Sequence, residues 1–283
     1  MNDPVPPTSP STGWASRADL APGSDGRISL LNYNIQAGMA SRRYADYLLH
    51  SWKYFLPHVD RWRNFDAIAH RLKGFDLVAI QETDAGSLRT GFTNPTEHLA
   101  RLAGFPFWFE QINREVGSLS RHGNAILCRE RPYEVVDHKL PGMRGRGALI
   151  AMFGPPSTGL VVISVHLALG RRPRTTQIES LCDCVNDYPH AILMGDFNCE
   201  LRSPEMRVLL ERTPLRAPTA GGATFPSWRP KRRIDHILVT PDIEILDTAP
   251  LGWTFSDHLP VRMDVRLPGD VSFGLDARPR AQR

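Results

Sequence analysis

Short apolar runs that stop abruptly on polar residues set the pattern of this chain. RISLLNYN (27–34), FDLVAIQE (75–82), LVVISVHL (160–167), AILMGDFN (191–198) and RRIDHILV (232–239) are mostly apolar and too short for core helices. Such runs read as strands buried on both faces. Residues 107–109, 124–128, 132–140, 147–153 and 243–251 add further strand-like segments, and another follows His258. Thr224 to Trp228 reads as a loop or an edge strand. Between the strands the period changes to that of a helix. Trp62, Phe65, Ile68, Ala69 and Leu72 share one face of 60–73, closed by Gly74. Tyr44, Tyr47, Leu48, Trp52, Phe55 and Val59 do the same across 40–59, and Ile178, Leu181, Cys182 and Val185 across 174–187. Asn94-Pro95-Thr96-Glu97 opens a short helix running to Gly104, and Ser203-Pro204 opens another, each with proline at the first helical position. Strands alternating with helices predict an α/β protein, a layered sheet with helices on its outer face.

Composition narrows this picture. Of 283 residues, 41% are hydrophobic and 23% charged, which is globular, and the net charge of +4 is compatible with an anionic substrate without requiring one. Residues 1–26 are rich in Pro, Ser and Gly with no apolar period and are expected to be a disordered tail. Residues 269–283 form a polar C-terminal tail, leaving one folded domain over 27–268. No stretch reaches the ~18 apolar residues of a membrane-spanning helix, and the N-terminus has no basic-then-apolar leader pattern. The four cysteines form no CxxC pair, so structural zinc is not expected. They read as free thiols, and the expected location is cytoplasmic, with peripheral membrane contact left open and a monomer as the default.

The chemistry lies at the strand tips. Asn34, Glu82, His166, Asp196 with Asn198, Asp235, and Asp257 with His258 each follow or interrupt an apolar run. Asp196 and Asn198 stand two apart, so an extended chain points both the same way. Singly, each has a bland reading as a turn residue, a solvated strand end or a satisfied core histidine; together they recur too often for that. Carboxylates with amide oxygens make a hard-cation site suited to Mg2+, with Mn2+ as a substitute. An Asp–His pair fixes an imidazole tautomer and raises its basicity for acid–base work. The inventory is that of phosphoester hydrolysis, where a metal neutralises phosphate charge and a base activates water.

The ordered blocks NYNIQ, AIQET, SVHLALG, GDFN, RRIDHILV and SDHLP resemble the endonuclease/exonuclease/phosphatase superfamily over about residues 27–267. The resemblance implies a four-layer α/β sandwich: two mixed β-sheets packed face to face with helices outside. It implies Glu82 as the main metal ligand, Asn34 supporting it, and Asp257 as a second metal-proximal residue. Asp196 resembles the residue that orients or deprotonates the attacking water, with Asn198 its partner on the phosphate. His258, held by Asp235, resembles the histidine at the scissile phosphate, and His166 matches a histidine of the deoxyribonuclease-like and sphingomyelinase-like branches. Asn124 resembles a phosphate-neighbouring position. Gln36 departs from members with an acidic residue there, which favours one principal metal ion. Arg171 and Arg172, directly after the His166 strand, are weighted towards substrate binding at the rim. With Arg144, Arg146, Arg174, Lys231, Arg232 and Arg233 they also suit a nucleic-acid backbone. A nuclease is slightly preferred over an enzyme of phospholipid head groups or small phosphorylated metabolites. A binding protein without turnover is the remaining alternative.

Overall fold

The computed structural model describes residues 26–36, 59–116, 120–155, 158–271 and 273. The expected N-terminal tail, nearly all of the aromatic helix over 40–59 and most of the C-terminal tail lie outside these residues. Within them the strands are β1 (Arg27–Asn34), β2 (Leu77–Asp84), β3 (Phe107–Val116), β4 (Ser120–Cys128), β5 (Glu134–Lys139), β6 (Gly147–Phe153), β7 (Leu160–His166), β8 (Ala191–Asp196), β9 (Asp235–Val239), β10 (Glu244–Pro250) and β11 (Val261–Arg266). The helices are α1 (Val59–Leu72), α2 (Pro95–Ala103), α3 (Arg171–Asn186) and α4 (Pro204–Arg212).

The strands form two mixed sheets, ordered β10-β11-β1-β2-β4-β3 and β5-β6-β7-β8-β9. Strand alternation assigns each side chain to a layer. Leu30, Ala79 and Ile126 of the first sheet turn inward and share a core with Val162, Met194 and Ile237 of the second. Their neighbours Leu31, Val78 and Ile80 turn outward onto Phe65, Ile68 and Leu72 of α1 and Leu99 of α2. On the far side Ile163, Val165 and Leu193 meet Ile178, Leu181 and Val185 of α3 and Leu209 of α4. The result is the expected four-layer α/β sandwich. Each of these leucines is completely buried, so truncating one to alanine costs roughly 2–5 kcal/mol.

Pairing directions decide where the polar tips go. β1 and β2 run parallel, as do β7 and β8, so Asn34, the end of β2, His166 and Asp196 leave at one edge. β9 runs antiparallel to β8 and starts there, with Asp235 opposite Asp196. β11 is antiparallel to β1, which brings the residues before Val261 back to Asn34. Gly195 makes the β7–β8 pairing possible: a Cβ there would lie 2.0 Å from the Val165 carbonyl oxygen. At the same edge Asn124 Nδ2 donates to Gly147 O (3.2 Å) and Gln111 Nε2 to Ala148 O (3.1 Å), joining the two sheets through polar groups.

Some boundaries differ from the sequence reading. Residues 107–128 form one long hairpin of Asn94 caps α2 and Ser203 caps α4 through their side chains, as the motifs predict. α3 begins at Arg171, not Arg174, because Pro173 is tolerated in a first helical turn where no N–H partner is lost. Thr224 to Trp228 is irregular chain pinned by a bridge between Phe225 and Arg232.

Candidate active site

Asp196 is the hub. It is 1% exposed at the tip of β8. Its Oδ1 accepts the Asn198 N–H at 2.9 Å and its Oδ2 accepts Asn34 Nδ2 at 3.0 Å. Burial raises its pKa to about 7; the His258 charge opposes this, and the Asp235 carboxylate adds to it. A carboxylate so placed titrates at neutral pH, where a general base is most effective.

Two histidines face Asp196 with opposite backing. His258 Nδ1 donates to Asp235 at 2.9 Å, and Asp235 also accepts Thr224 Oγ1 at 2.5 Å. Burial disfavours an imidazolium at His258, but the charges of Asp235 and Asp196, the Asp235 hydrogen bond and the charge of Asp257 outweigh it. Its pKa therefore rises well above the usual histidine value. His166 has no carboxylate at Nδ1. Arg146 Nη1 lies there at 3.0 Å, and a guanidinium only donates, so Nδ1 accepts and the proton sits on Nε2. His166 Nε2 is 3.5 Å from Asp196 Oδ2 and 3.9 Å from Glu82 Oε1; His258 Nε2 is 3.8 Å from Asp196 Oδ2. These separations exceed hydrogen-bond length, so both Nε2–H groups are available to a substrate oxygen.

Glu82 sits at a bulge in β2, where the register with β4 shifts between Gln81 and Thr83. Its φ is +55°, uncommon for a residue with a side chain, and costs roughly 1–3 kcal/mol of backbone strain. The bulge turns Glu82 out of the strand alternation towards Asn34, whose Nδ2 reaches its Oε1 at 3.2 Å. Asp257 is oriented by Ser256, whose Oγ donates to its Oδ1 at 3.2 Å and to Asn34 O at 2.7 Å. Burial raises the Asp257 pKa to about 6; His258 opposes this, and the nearby Glu82 charge raises it further. Two carboxylates that repel one another across an oxygen-rich corner fit a hard divalent cation, which would relieve that repulsion.

Among the described residues, Asp196, Asp235 and His258 also bring ligand atoms within 4.8 Å of one another. There the Asp235 oxygens and His258 Nδ1 are already committed to each other, which is the arrangement of a proton relay. Asn34, expected with the metal residues, turns its amide nitrogen to Glu82 and Asp196 while its Oδ1 accepts Gln36 N–H at 3.1 Å. It steadies the carboxylates. Asn198 ties Nδ2 to Leu167 O at 2.9 Å, pinning the loop after β8 to the loop after β7.

The substrate-binding expectations fare unevenly. Asn124 borders the cavity beside Glu82, but its amide hydrogens go to Gly147 O and Gln111 Oε1, so it holds the sheets together. Arg171 and Arg172 are exposed on the first turn of α3, with Arg171 Nε 3.8 Å from Glu205 Oε2. Arg174 is buried, bound to Glu205 at 2.6 Å and to the carbonyls of Ala168 and Leu169, and is structural. Sequence reasoning missed Thr224, Ser256, the Arg146 contact with His166, and His236. The fully buried His236 has its pKa lowered to about 4 by burial, and its Nε2 pairs with Cys199 O at 2.8 Å, bracing the loop after Asp196. The arginine before GALIAMF and the histidine after Asp235 were visible as residue types, but only the fold pairs them.

Comparison with known proteins places this geometry. The model of the Endonuclease/Exonuclease/phosphatase family matches residues 31–258. The uncharacterized protein YbhP of Escherichia coli (strain K12) is 34% identical over 235 residues, covering 76% of this chain and 90% of YbhP. A solved endonuclease/exonuclease/phosphatase from Beutenbergia cavernae DSM 12333 has a TM-score of 0.67 at 22% identity, covering 86% of this chain and 72% of that one. The mannosyl-6-phosphatase Bt3783 of Bacteroides thetaiotaomicron VPI-5482 has a TM-score of 0.62 at 17% identity, covering 84% and 99%. At these identities the two solved structures speak for the fold.

Proposed function

Because the chain belongs to the endonuclease/exonuclease/phosphatase family, hydrolases of phosphoester bonds, we propose that it is a divalent-metal-dependent phosphodiesterase in which Asp196 activates the attacking water. The observation that carries this reading is the line of groups Asp235–His258–Asp196, with Asp196 titrating near 7 beside a charged imidazole. Asp196 takes the proton of the water, and the Asn198 N–H and Asn34 amide hold its carboxylate in place. His258, charged through Asp235, presents Nε2–H to a phosphoryl oxygen where negative charge builds up. His166, kept neutral at Nδ1 by Arg146, presents its Nε2–H from the other side. Mg2+ held by Glu82 and Asp257, when bound, supplies charge neutralisation on the phosphate and at the leaving oxygen.

For the substrate, a compact or chain-end phosphodiester is the better-supported reading. The cavity bordering Glu82 and His166 is about 180 Å3, smaller than the ~300 Å3 at which drug-sized pockets begin. The proposed nucleic-acid track loses Arg174 to Glu205 and Arg146 to His166. A nucleic-acid substrate stays as a second reading, favoured by the exposed Arg144, Arg171 and Arg172 near the site. A Mg2+-dependent hydrolysis panel separates them: supercoiled plasmid, single-stranded oligonucleotide, phospholipid and sphingomyelin vesicles, and an aryl phosphodiester, with Asp196→Ala as control. Turnover of the aryl diester that the variant lacks supports the reaction. Salt-sensitive plasmid nicking by the wild type alone would move the substrate to nucleic acid, and turnover equal in both proteins would reject the site.

A further inference from the structure

The cavity beside Glu82 and His166 has a wall that the proposed reaction does not use. The turn between β5 and β6, Met143-Arg144-Gly145-Arg146, forms that wall. Gly142 and Gly145 both take φ of +81°, and the turn contains no acidic residue. Arg146 is engaged with His166, whereas Arg144 is exposed. The turn leans on the start of α3: a Cβ on Gly142 would lie 3.3 Å from Pro173 Cα. That helix starts at Gly170 with no side-chain cap bond and no acid in its first turn, and Arg171 and Arg172 are its first two residues. The positive end of the helix dipole and these guanidinium groups therefore act on the same side. Opposite stands Glu82, whose charge a bound cation would neutralise, leaving this wall as an excess of positive charge next to the scissile phosphate.

We propose that this cavity is a second anion subsite, and that the substrate is a phosphodiester carrying a further phosphate that sits against Arg144. The inference rests on the hydrolase reading and specifies its substrate class. The cavity's size admits one such group and no more. An exposed guanidinium beside a cavity binds phosphate oxygens through paired N–H groups without a covalent role. The second phosphate could belong to a polynucleotide end or to a bisphosphorylated small molecule; the chemistry at Arg144 is the same.

The test compares wild type with Arg144→Gln, and uses Asp196→Ala as a catalytic control. Calorimetry in Mg2+ buffer measures inorganic pyrophosphate and inorganic phosphate binding to each. The wild type and Asp196→Ala are expected to prefer pyrophosphate by about tenfold or more, a gap of one charge-assisted contact. Arg144→Gln should lose most of that preference with phosphate binding and melting temperature unchanged. No preference in the wild type, or one that survives in Arg144→Gln, overturns the subsite. Turnover of a dinucleotide with and without a 5′-phosphate, and of a glycerophosphodiester with and without a second phosphate, names the source. The pair whose phosphate-dependent advantage disappears in Arg144→Gln identifies it. If the protein hydrolyses none of them, the reaction reading fails while the calorimetric ratio still decides the subsite.

Discussion

Asp235→Asn is the most informative single change, because it removes a charge and little else. Asp235 is 1% exposed, accepts His258 Nδ1 at 2.9 Å, and is the largest of the influences that keep His258 charged against burial. A hydrogen bond to a charged group contributes about 1.5–3 kcal/mol, equivalent to roughly 1–2 pKa units. The His258 pKa should fall by that amount, followed as an imidazole nitrogen shift in an NMR titration. Linkage fixes the sign of the stability effect. A histidine whose folded pKa lies above its unfolded value near 6.5 stabilises fully below that pH, and the contribution is lost as pH rises through the folded value. The melting-temperature deficit of the variant should therefore be widest near pH 6, at roughly 3–12 °C, and narrow in alkaline buffer. Turnover should drop about 10²–10⁴-fold, because the imidazole loses both its charge and its fixed tautomer. A His258 pKa moving by less than about half a unit, with a deficit flat from pH 6 to 9, would refute the proposed role of Asp235.

Asp196→Asn should abolish turnover and also flatten the pH dependence of stability. The folded state keeps the Asp196 proton up to about pH 7 while the unfolded chain releases it near 3.8, so wild-type stability carries a falling component across that window that calorimetric scans of the variant will lack. EDTA should stop turnover and Mg2+ or Mn2+ restore it. Saturating Mg2+ at about 100 Kd should stabilise the wild type by about 2.7 kcal/mol but leave Glu82→Gln unshifted, and equal thermal shifts in both would remove Glu82 from the metal site. Gly195→Ala should destabilise by roughly 3 kcal/mol or more in urea unfolding, because its Cβ would overlap the Val165 carbonyl.

The layers were legible in the sequence because burial on both faces leaves uninterrupted apolar runs, and the helices because their apolar period and caps are local. The polar tips were legible for a related reason: Asn34, His166 and Asp196 end such runs, and a strand must leave the core where its apolar residues stop. What pairs with what was not. Arg146 looked like one arginine among many until β6 and β7 became neighbours and set it against His166 Nδ1. Arg174 looked equally basic and is consumed by Glu205, a contact between two helices 31 residues apart in sequence. Glu82 was read as a strand-end ligand, but its placement depends on a left-handed residue at a bulge, which no periodicity reveals. Thr224 and Ser256 are ordinary hydroxyls in sequence, and only the return of the chain to Asp235 and Asn34 gives them work.

The central claim is that water activated at Asp196 attacks phosphorus. It is tested most directly by running the fastest substrate of the panel in 18O-labelled water with Mg2+ and weighing the products. The account predicts one labelled oxygen per turnover in the phosphate-bearing product, none in the released alcohol, and no labelled product with Asp196→Ala. Label in the alcohol, or labelled phosphate formed at the wild-type rate by the variant, would contradict it.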